Sequence, residues 1–215
     1  MQELIDRAKD SIIDANEEEA MNIIKEANGR KFDVMKLLRD GFSMGNNEVG
    51  RLFETGQISL PELIFSTEVM RNVLYYIEKN YDQNPVKEKG KILIATVNGD
   101  VHEIGKGMVV STMKSLGIDV IDLGREVPVE TIIEKAEEYG VKIIATSALL
   151  TSTLPEQRKL ETELRKRGIR DKYVTMVGGA PCSGRWAKRI GADLYIEDAV
   201  EAAKKALEIL NSREK

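Results

Sequence analysis

Cysteine and histidine each occur once in the 215-residue chain, as Cys182 and His102. A lone thiol forms no internal disulfide, which excludes a small secreted scaffold stapled by bridges. A lone imidazole excludes the zinc hydrolase pattern, which needs a second histidine one helical turn away. A basic excess is also missing: 32 Lys and Arg face 36 Asp and Glu, for a net charge of −4. The chain therefore offers no electrostatic footprint for nucleic acid or anionic lipid. No apolar run approaches the roughly 20 residues that span a bilayer. The charged N-terminus, Met1–Asp10, does not read as a signal peptide. With 42% apolar and 32% charged residues, the composition is that of a folded soluble chain. A cytoplasmic protein that binds neither nucleic acid nor membrane is expected.

Residues 1–80 carry helical periodicity and no strand signal. Leu4, Ile5, Ala8 and Ile12 form one apolar stripe, and Ala20, Ile23, Ile24 and Ala27 a second, both at i, i+3/i+4 spacing. A third runs through Val34, Leu37, Leu38 and Phe42 and resumes at Val49, Leu52 and Phe53. Gly41, Gly45 and Gly50 interrupt it, and each costs a helix interior about 1 kcal/mol relative to Ala, so a break or a close backbone approach is expected there. A fourth helix starts at Ser59, whose Glu62 completes a capping box around Pro61. Its stripe is Leu63, Ile64, Met70, Val73, Leu74 and Ile77. Four such segments predict an N-terminal four-helix bundle.

Residues 81–89 are polar, contain Pro85 and read as a linker. Over 90–215 short apolar runs alternate with helical stretches. Strands are expected at Ile92–Val97, Ile118–Ile121, Lys142–Thr146, Tyr173–Val177 and Asp193–Ile196. Helices are expected to start near Ile104, Val129, Pro155 and Gly184, with a last one capped by Asp198. This βα alternation predicts a parallel sheet covered on both faces. The size matches a flavodoxin-like, Rossmann-type domain with five strands in the order 2-1-3-4-5.

That order places ligands beyond the carboxyl ends of the strands, where strands 1 and 3 diverge. The loops there are Asn98–Gly105, Ser147–Thr151 and Gly178–Pro181, so the only histidine falls in the crevice that topology nominates. A phosphate loop is rejected: Asp100 holds the place of its first glycine and Gly107 that of its magnesium-binding hydroxyl. The dinucleotide fingerprint fails because Val110 stands where the third glycine belongs. A Cys182–His102 nucleophilic dyad is open as a minor reading against a simply packed cysteine. A phosphoacceptor role for Asp100 is weak, because that acid stands alone.

What remains is Asp-x-His-x-x-Gly, then Ser-x-Leu, then Gly-Gly, all at strand ends. If the loop turns, the Asp100 carboxylate fixes one ring nitrogen of His102 and frees the other for a metal. Ser147 would extend that chain. Gly105, Gly178 and Gly179 would remove side chains where a bulky ligand slides between strands and helices.

Asp100-Val101-His102-Glu103-Ile104-Gly105, Ser147-Ala148-Leu149 and Gly178-Gly179 resemble, in order and spacing, the cobalamin-binding signature. Gly45-x-x-x-Val49-Gly50-x-x-Phe53-x-x-Gly56, followed by Leu60-Pro61-Glu62-Leu63, resembles the helical cap that precedes this domain in methionine synthase and in corrinoid methyl carriers. The stretch from Gly178-Gly179-Ala180-Pro181 through Trp186 to Ile190–Asp193 looks most like the corrinoid proteins of methylamine methyltransferase systems.

The resemblance implies a cobalamin or related corrinoid bound base-off, with its nucleotide tail in a slot and His102 as lower ligand to cobalt. Asp100 would orient His102 and Ser147 would end the relay. Gly105, Leu149, Gly178 and Gly179 would line the slot, and Val101, Glu103, Ile104, Leu150, Thr151 and Ala180 would complete the cofactor-contacting stretches. The implied role is methyl carriage. Cobalt(I) takes the methyl group from a substrate-specific methyltransferase, and methyl-cobalt(III) yields it to a second methyltransferase serving a thiol or tetrahydrofolate. A reductive activator of the corrinoid is the third implied partner. The helical cap would cover the upper corrin face and swing aside on the linker.

The chain would then be a carrier subunit rather than a complete enzyme, with a methylamine or related one-carbon donor. Methanol and quaternary amines use similar carriers, and the acceptor pathway, methanogenic or acetogenic, is left open. A cobalamin-sensing regulatory module is the alternative from another class. Met44, Phe53 and Met70 are read either as contacts to the upper corrin face or as bundle core. Trp186 reads as a packing anchor, Glu103 as a first-turn helix acid, and Arg165-Lys166-Arg167 as a solvated helix end.

Overall fold

The structure is a computed structural model that describes residues 2–80 and 90–212. The chain divides into two compact units, Met1–Val86 and Lys87–Lys215. The expected linker over 81–89 lies outside the described residues.

In the first unit the stripes fold into α1 (Gln2–Ile13), α2 (Glu17–Gly29), α3 (Val34–Leu37), α4 (Ser43–Glu54) and α5 (Leu60–Asn80). Its core is built from Leu4, Ala8, Ile12, Ile23, Ile24, Leu37, Leu38, Phe42, Val49, Met70, Val73 and Ile77. The third segment does not break at its glycines. A π-helical turn, Leu38–Phe42, joins α3 to α4. Gly41 and Gly45 instead let α1 close in: a Cβ on Gly41 would stand 2.8 Å from that of Ala8, and one on Gly45 2.4 Å from the Lys9 carbonyl oxygen. Ser59 begins α5 as expected, with its N–H and hydroxyl both donating to the Glu62 carboxylate. Ile64, assigned to the buried stripe, is 40% exposed, whereas Val69 is buried.

In the second unit β1 (Lys91–Thr96), β2 (Asp119–Asp122), β3 (Ile143–Ser147), β4 (Val174–Gly178) and β5 (Leu194–Tyr195) pair in parallel in the order β2-β1-β3-β4-β5. The helices between and after them are α6 (Ile104–Ser115), α7 (Val129–Tyr139), α8 (Leu154–Lys166), α9 (Gly184–Ile190) and α10 (Ala199–Ser212). The period-2 alternation of a strand sorts the core into two layers. Ile92, Ile94, Ile143, Ala145 and Met176 face Met113 of α6 and Ala202, Ala206 and Leu210 of α10. Leu93, Ala95 and Ile144 face Ile132, Ile133 and Ala136 of α7 and Leu160 and Leu164 of α8. Full burial of each such Leu or Ile contributes about 1.5–3 kcal/mol, which anchors every strand against slipping by one residue.

The flavodoxin-like arrangement is therefore the one expected, and the carboxyl ends of β1, β3 and β4 stand side by side. Thr96 is in register with Ser147, and Ser147 with Gly178.

Candidate functional site

After β1 the chain turns through Gly99 and brings Asp100 under the strand ends. The Asp100 N–H donates to the Val97 carbonyl, at 3.1 Å. The Thr96 hydroxyl donates to the His102 carbonyl, at 2.9 Å, so the loop is tied down on both sides of Asp100.

Asp100 is fully buried, and its two oxygens serve different partners. Oδ1 accepts from the His102 backbone N–H at 3.1 Å and from ring nitrogen Nδ1 at 2.7 Å. Oδ2 accepts from the Leu149 N–H at 2.7 Å and from the Thr153 hydroxyl at 2.8 Å, with the Leu150 N–H further off at 3.4 Å. Burial alone would push this carboxyl up. The hydrogen bonds from His102 and Thr153 and from the backbone N–H groups of Leu149 and His102 outweigh it and hold the group at about 2. Asp100 is thus an ionised, acceptor-only partner, and the proton between it and the imidazole sits on Nδ1. That fixes the tautomer and leaves the lone pair of Nε2 as a donor to a metal.

The imidazole is 45% exposed while the carboxylate that holds it is 0% exposed. Around it Val101, Leu149 and Leu150 present exposed apolar side chains. A Cβ added to Gly105 or Gly107 would meet nothing within 4 Å. Among the described residues no group of three or more His, Cys, Asp or Glu side chains converges as a site for a bare ion. One fixed imidazole amid exposed apolar side chains and open space suits a metal that brings its other ligands in a flat macrocycle. A corrin meets that description.

The other expected residues fall around this centre. Ser147 ends β3, half-buried, and its side chain takes part in none of the hydrogen bonds at Asp100 or His102. Thr153 occupies the carboxylate oxygen where Ser147 was expected to act. Glu103 caps α6 by position and lies 3.9 Å from Arg125. Ile104 opens α6, and Thr151 and Ala180 are exposed on their loops. Gly179 has φ +115, and a Cβ there would fall 1.9 Å from the Ala148 carbonyl oxygen. The chain's own packing therefore demands glycine at 179 whatever is bound.

Two contributors escaped the sequence reading, both at the start of α8. Thr153 precedes the helix, and Gln157 lies one turn in, fully buried. Gln157 shares the stripe of Leu160 and Leu164, and a polar residue in an apolar stripe is a readable sign of a buried partner. Its Nε2 donates to the Thr146 and Gly178 carbonyls at 3.1 and 3.2 Å, and its Oε1 accepts from the Trp186 indole N–H at 2.9 Å.

Cys182 lies 3.3 Å from the same Oε1 and 3.0 Å from the Gly178 carbonyl. Burial pushes its thiol up to about 11 despite the bond to Gln157, so it supplies no thiolate for a dyad with His102. Lys106, which lent the loop its likeness to a phosphate loop, is buried against the Asp122 carboxylate. Arg165 donates to the Ile190 and Gly191 carbonyls, a tie between α8 and the end of α9. Met70 is bundle core, while Met44 and Phe53 are exposed.

Comparison with known proteins identifies the family. Family models for a B12 binding domain match residues 90–207 and, separately, 4–78. The chain is 41% identical to trimethylamine corrinoid protein 1 of Methanosarcina acetivorans over 97% of this chain and 98% of that protein. The structure of the Methanosarcina barkeri monomethylamine corrinoid protein superposes with a TM-score of 0.68 at 34% identity, covering 97% of this chain and 99% of that one. A chain of the methanol:cobalamin methyltransferase complex from Methanosarcina barkeri gives a TM-score of 0.71 at 28% identity, covering 97% of this chain and 80% of that one. The fold, the free imidazole nitrogen and these likenesses converge: the chain belongs to the cobalamin-binding corrinoid proteins of methylamine methyltransferase systems.

Proposed function

We propose that the protein is a methyl carrier that receives its methyl group from a methylated amine through a substrate-specific methyltransferase. It would present that group to a second methyltransferase serving a thiol or tetrahydrofolate, and a reductive activator would restore the corrinoid after adventitious oxidation. The observation that carries this reading is the His102 ring, held at Nδ1 by buried Asp100, with no hydrogen bond to Nε2 among the described residues. When bound, the corrin supplies a cobalt centre that takes up and releases the methyl group.

The residues of the chain do the rest. His102 would hold the metal through Nε2, and Asp100 would keep the ring in the ligating tautomer by accepting from Nδ1. Val101, Leu149 and Leu150 would exclude water from the bound macrocycle. Gly105 would leave room for its nucleotide tail, Gly179 would hold its loop close against Ala148, and Glu103, Ile104, Ser147, Thr151, Gly178 and Ala180 would complete the contacts. Choice of amine lies with the partner methyltransferase, because these residues meet the cofactor rather than the donor.

The test is reconstitution with hydroxocobalamin under reducing conditions. A red-orange protein that keeps its corrinoid through gel filtration, and a changed visible spectrum in His102→Ala, are expected. Failure to retain any corrinoid overturns the reading. Retention without methyl transfer to or from any methyltransferase, together with corrinoid-dependent binding of another partner, would turn it towards a sensing module.

A further inference from the structure

The hydroxyl of Thr153 has one proton and two acceptors within reach, Asp100 Oδ2 at 2.8 Å and the Leu150 carbonyl at 2.9 Å. The Leu150 carbonyl already accepts from the backbone N–H groups of Thr153 and Leu154, at 3.1 and 3.3 Å. Asp100 Oδ2 is fully buried and makes the shorter of the two contacts, and a carboxyl oxygen so placed needs its donors from the protein. The proton therefore belongs to Asp100. Thr153 is itself 6% exposed, and it stands on a rigid support. One turn later Gln157 bonds the Thr146 and Gly178 carbonyls and so ties α8 to β3 and β4.

We propose that Thr153 is the positioning residue that closes the His102–Asp100 chain, in place of Ser147. It acts through Asp100 alone. With the Thr153 hydroxyl and the Leu149 N–H on Oδ2, the carboxylate cannot rotate, so Oδ1 stays in line with Nδ1 of His102. Without the hydroxyl the carboxylate has one fewer anchor, and the imidazole is freed to populate the tautomer with its proton on Nε2, which cannot ligate a metal. This deepens the reading of His102 as the cobalt ligand and rests on it for its functional meaning.

The chain has one histidine, so uniform labelling with ¹⁵N-histidine reports on His102 alone. Long-range ¹H–¹⁵N spectra of the corrinoid-free full chain at mildly alkaline pH read the tautomer directly. The native protein is expected to carry the proton on Nδ1. Thr153→Val should raise the Nε2–H fraction about twofold or more, because a carboxylate with one anchor fewer keeps Oδ1 in line with Nδ1 for less of the time. Thr153→Ser should restore the native spectrum, and Thr153→Ala serves where valine is not accommodated.

An unchanged tautomer in both the valine and alanine variants overturns the proposal, as does a shift produced by Ser147→Ala and not by Thr153→Val. In the hydroxocobalamin-loaded protein reduced to cobalt(II), ¹⁵N coupling in the electron paramagnetic resonance spectrum is expected in the native chain and weakened in Thr153→Val. Absence of that coupling in the native chain would strike the ligand assignment, whereas the tautomer measurement judges Thr153 independently of it.

Discussion

Gln157 donates its side-chain amide to the carbonyls of both Thr146 and Gly178, so the first turn of α8 clasps the ends of β3 and β4. Of these, β3 lies next to β1, whose following loop carries His102. The same side chain accepts the Trp186 indole N–H and stands 3.3 Å from the Cys182 sulfur. A single buried amide thus sets the spacing of the Ser147 and Gly178 loops.

Gln157→Leu should destabilise the protein by about 1–3 kcal/mol, because it removes a buried donor from the Thr146 and Gly178 carbonyls and the acceptor of the Trp186 indole N–H. Urea unfolding followed by circular dichroism measures this. A loss below about 0.5 kcal/mol, the range of an ordinary surface substitution, would mean that the clasp carries no weight.

Two of the motif glycines, Gly179 and Gly105, should respond in opposite ways. Gly179→Ala forces a Cβ into the Ala148 carbonyl at positive φ, with an expected cost of about 3 kcal/mol or more. Gly105 faces open space near the start of α6, so Gly105→Leu should leave the melting temperature of the corrinoid-free protein unchanged or slightly raised. The same substitution should weaken corrinoid retention at least about tenfold through overpacking. Thermal melts paired with hydroxocobalamin titrations separate the two; equal behaviour at both positions would contradict the assignment.

Lys106 and Asp122 form a lopsided pair, since the lysine side chain is 2% exposed and the aspartate 33%. Asp122→Ala leaves a buried ammonium without its partner and should cost about 3–5 kcal/mol. Lys106→Met keeps the apolar volume, and leaves a carboxylate that still reaches water and the Gly124 N–H at 2.9 Å; its cost should be clearly smaller. Denaturant midpoints of the two variants test the order.

Cys182 should resist alkylation. Burial raises its thiol to about 11, so the folded protein holds almost no thiolate at neutral pH. The sign follows from the direction of the shift: stability contributed by the neutral buried thiol is complete below an unfolded-chain value of about 8.5 and is lost as pH rises through 11. Iodoacetamide at pH about 8.5 should label the urea-unfolded chain at least tenfold faster than the native one. Equal rates would show that the thiol is open to solvent.

The sequence by itself determined the helical stripes, the strand order and the loop in which His102 lies. All of these follow from short-range periodicity, capping residues and the topology rule for parallel sheets, which neighbouring residues encode. Stripe membership failed at Ile64, whose side of α5 depends on which helices pack there. The glycines of the third helical segment announced an irregularity, but only the approach of α1 decided that it would be a π-helical turn with intimate packing rather than a break. The Asp100–His102 contact was legible because only one residue, Val101, separates its members. Which group anchors the other Asp100 oxygen was not, because Thr153 lies 53 positions away. Ser147 and Thr153 are both hydroxyl residues near the end of β3. In the tertiary structure Thr153, just before α8, bonds the Asp100 oxygen, and a hydrogen bond between two loops depends on how the elements that carry them pack.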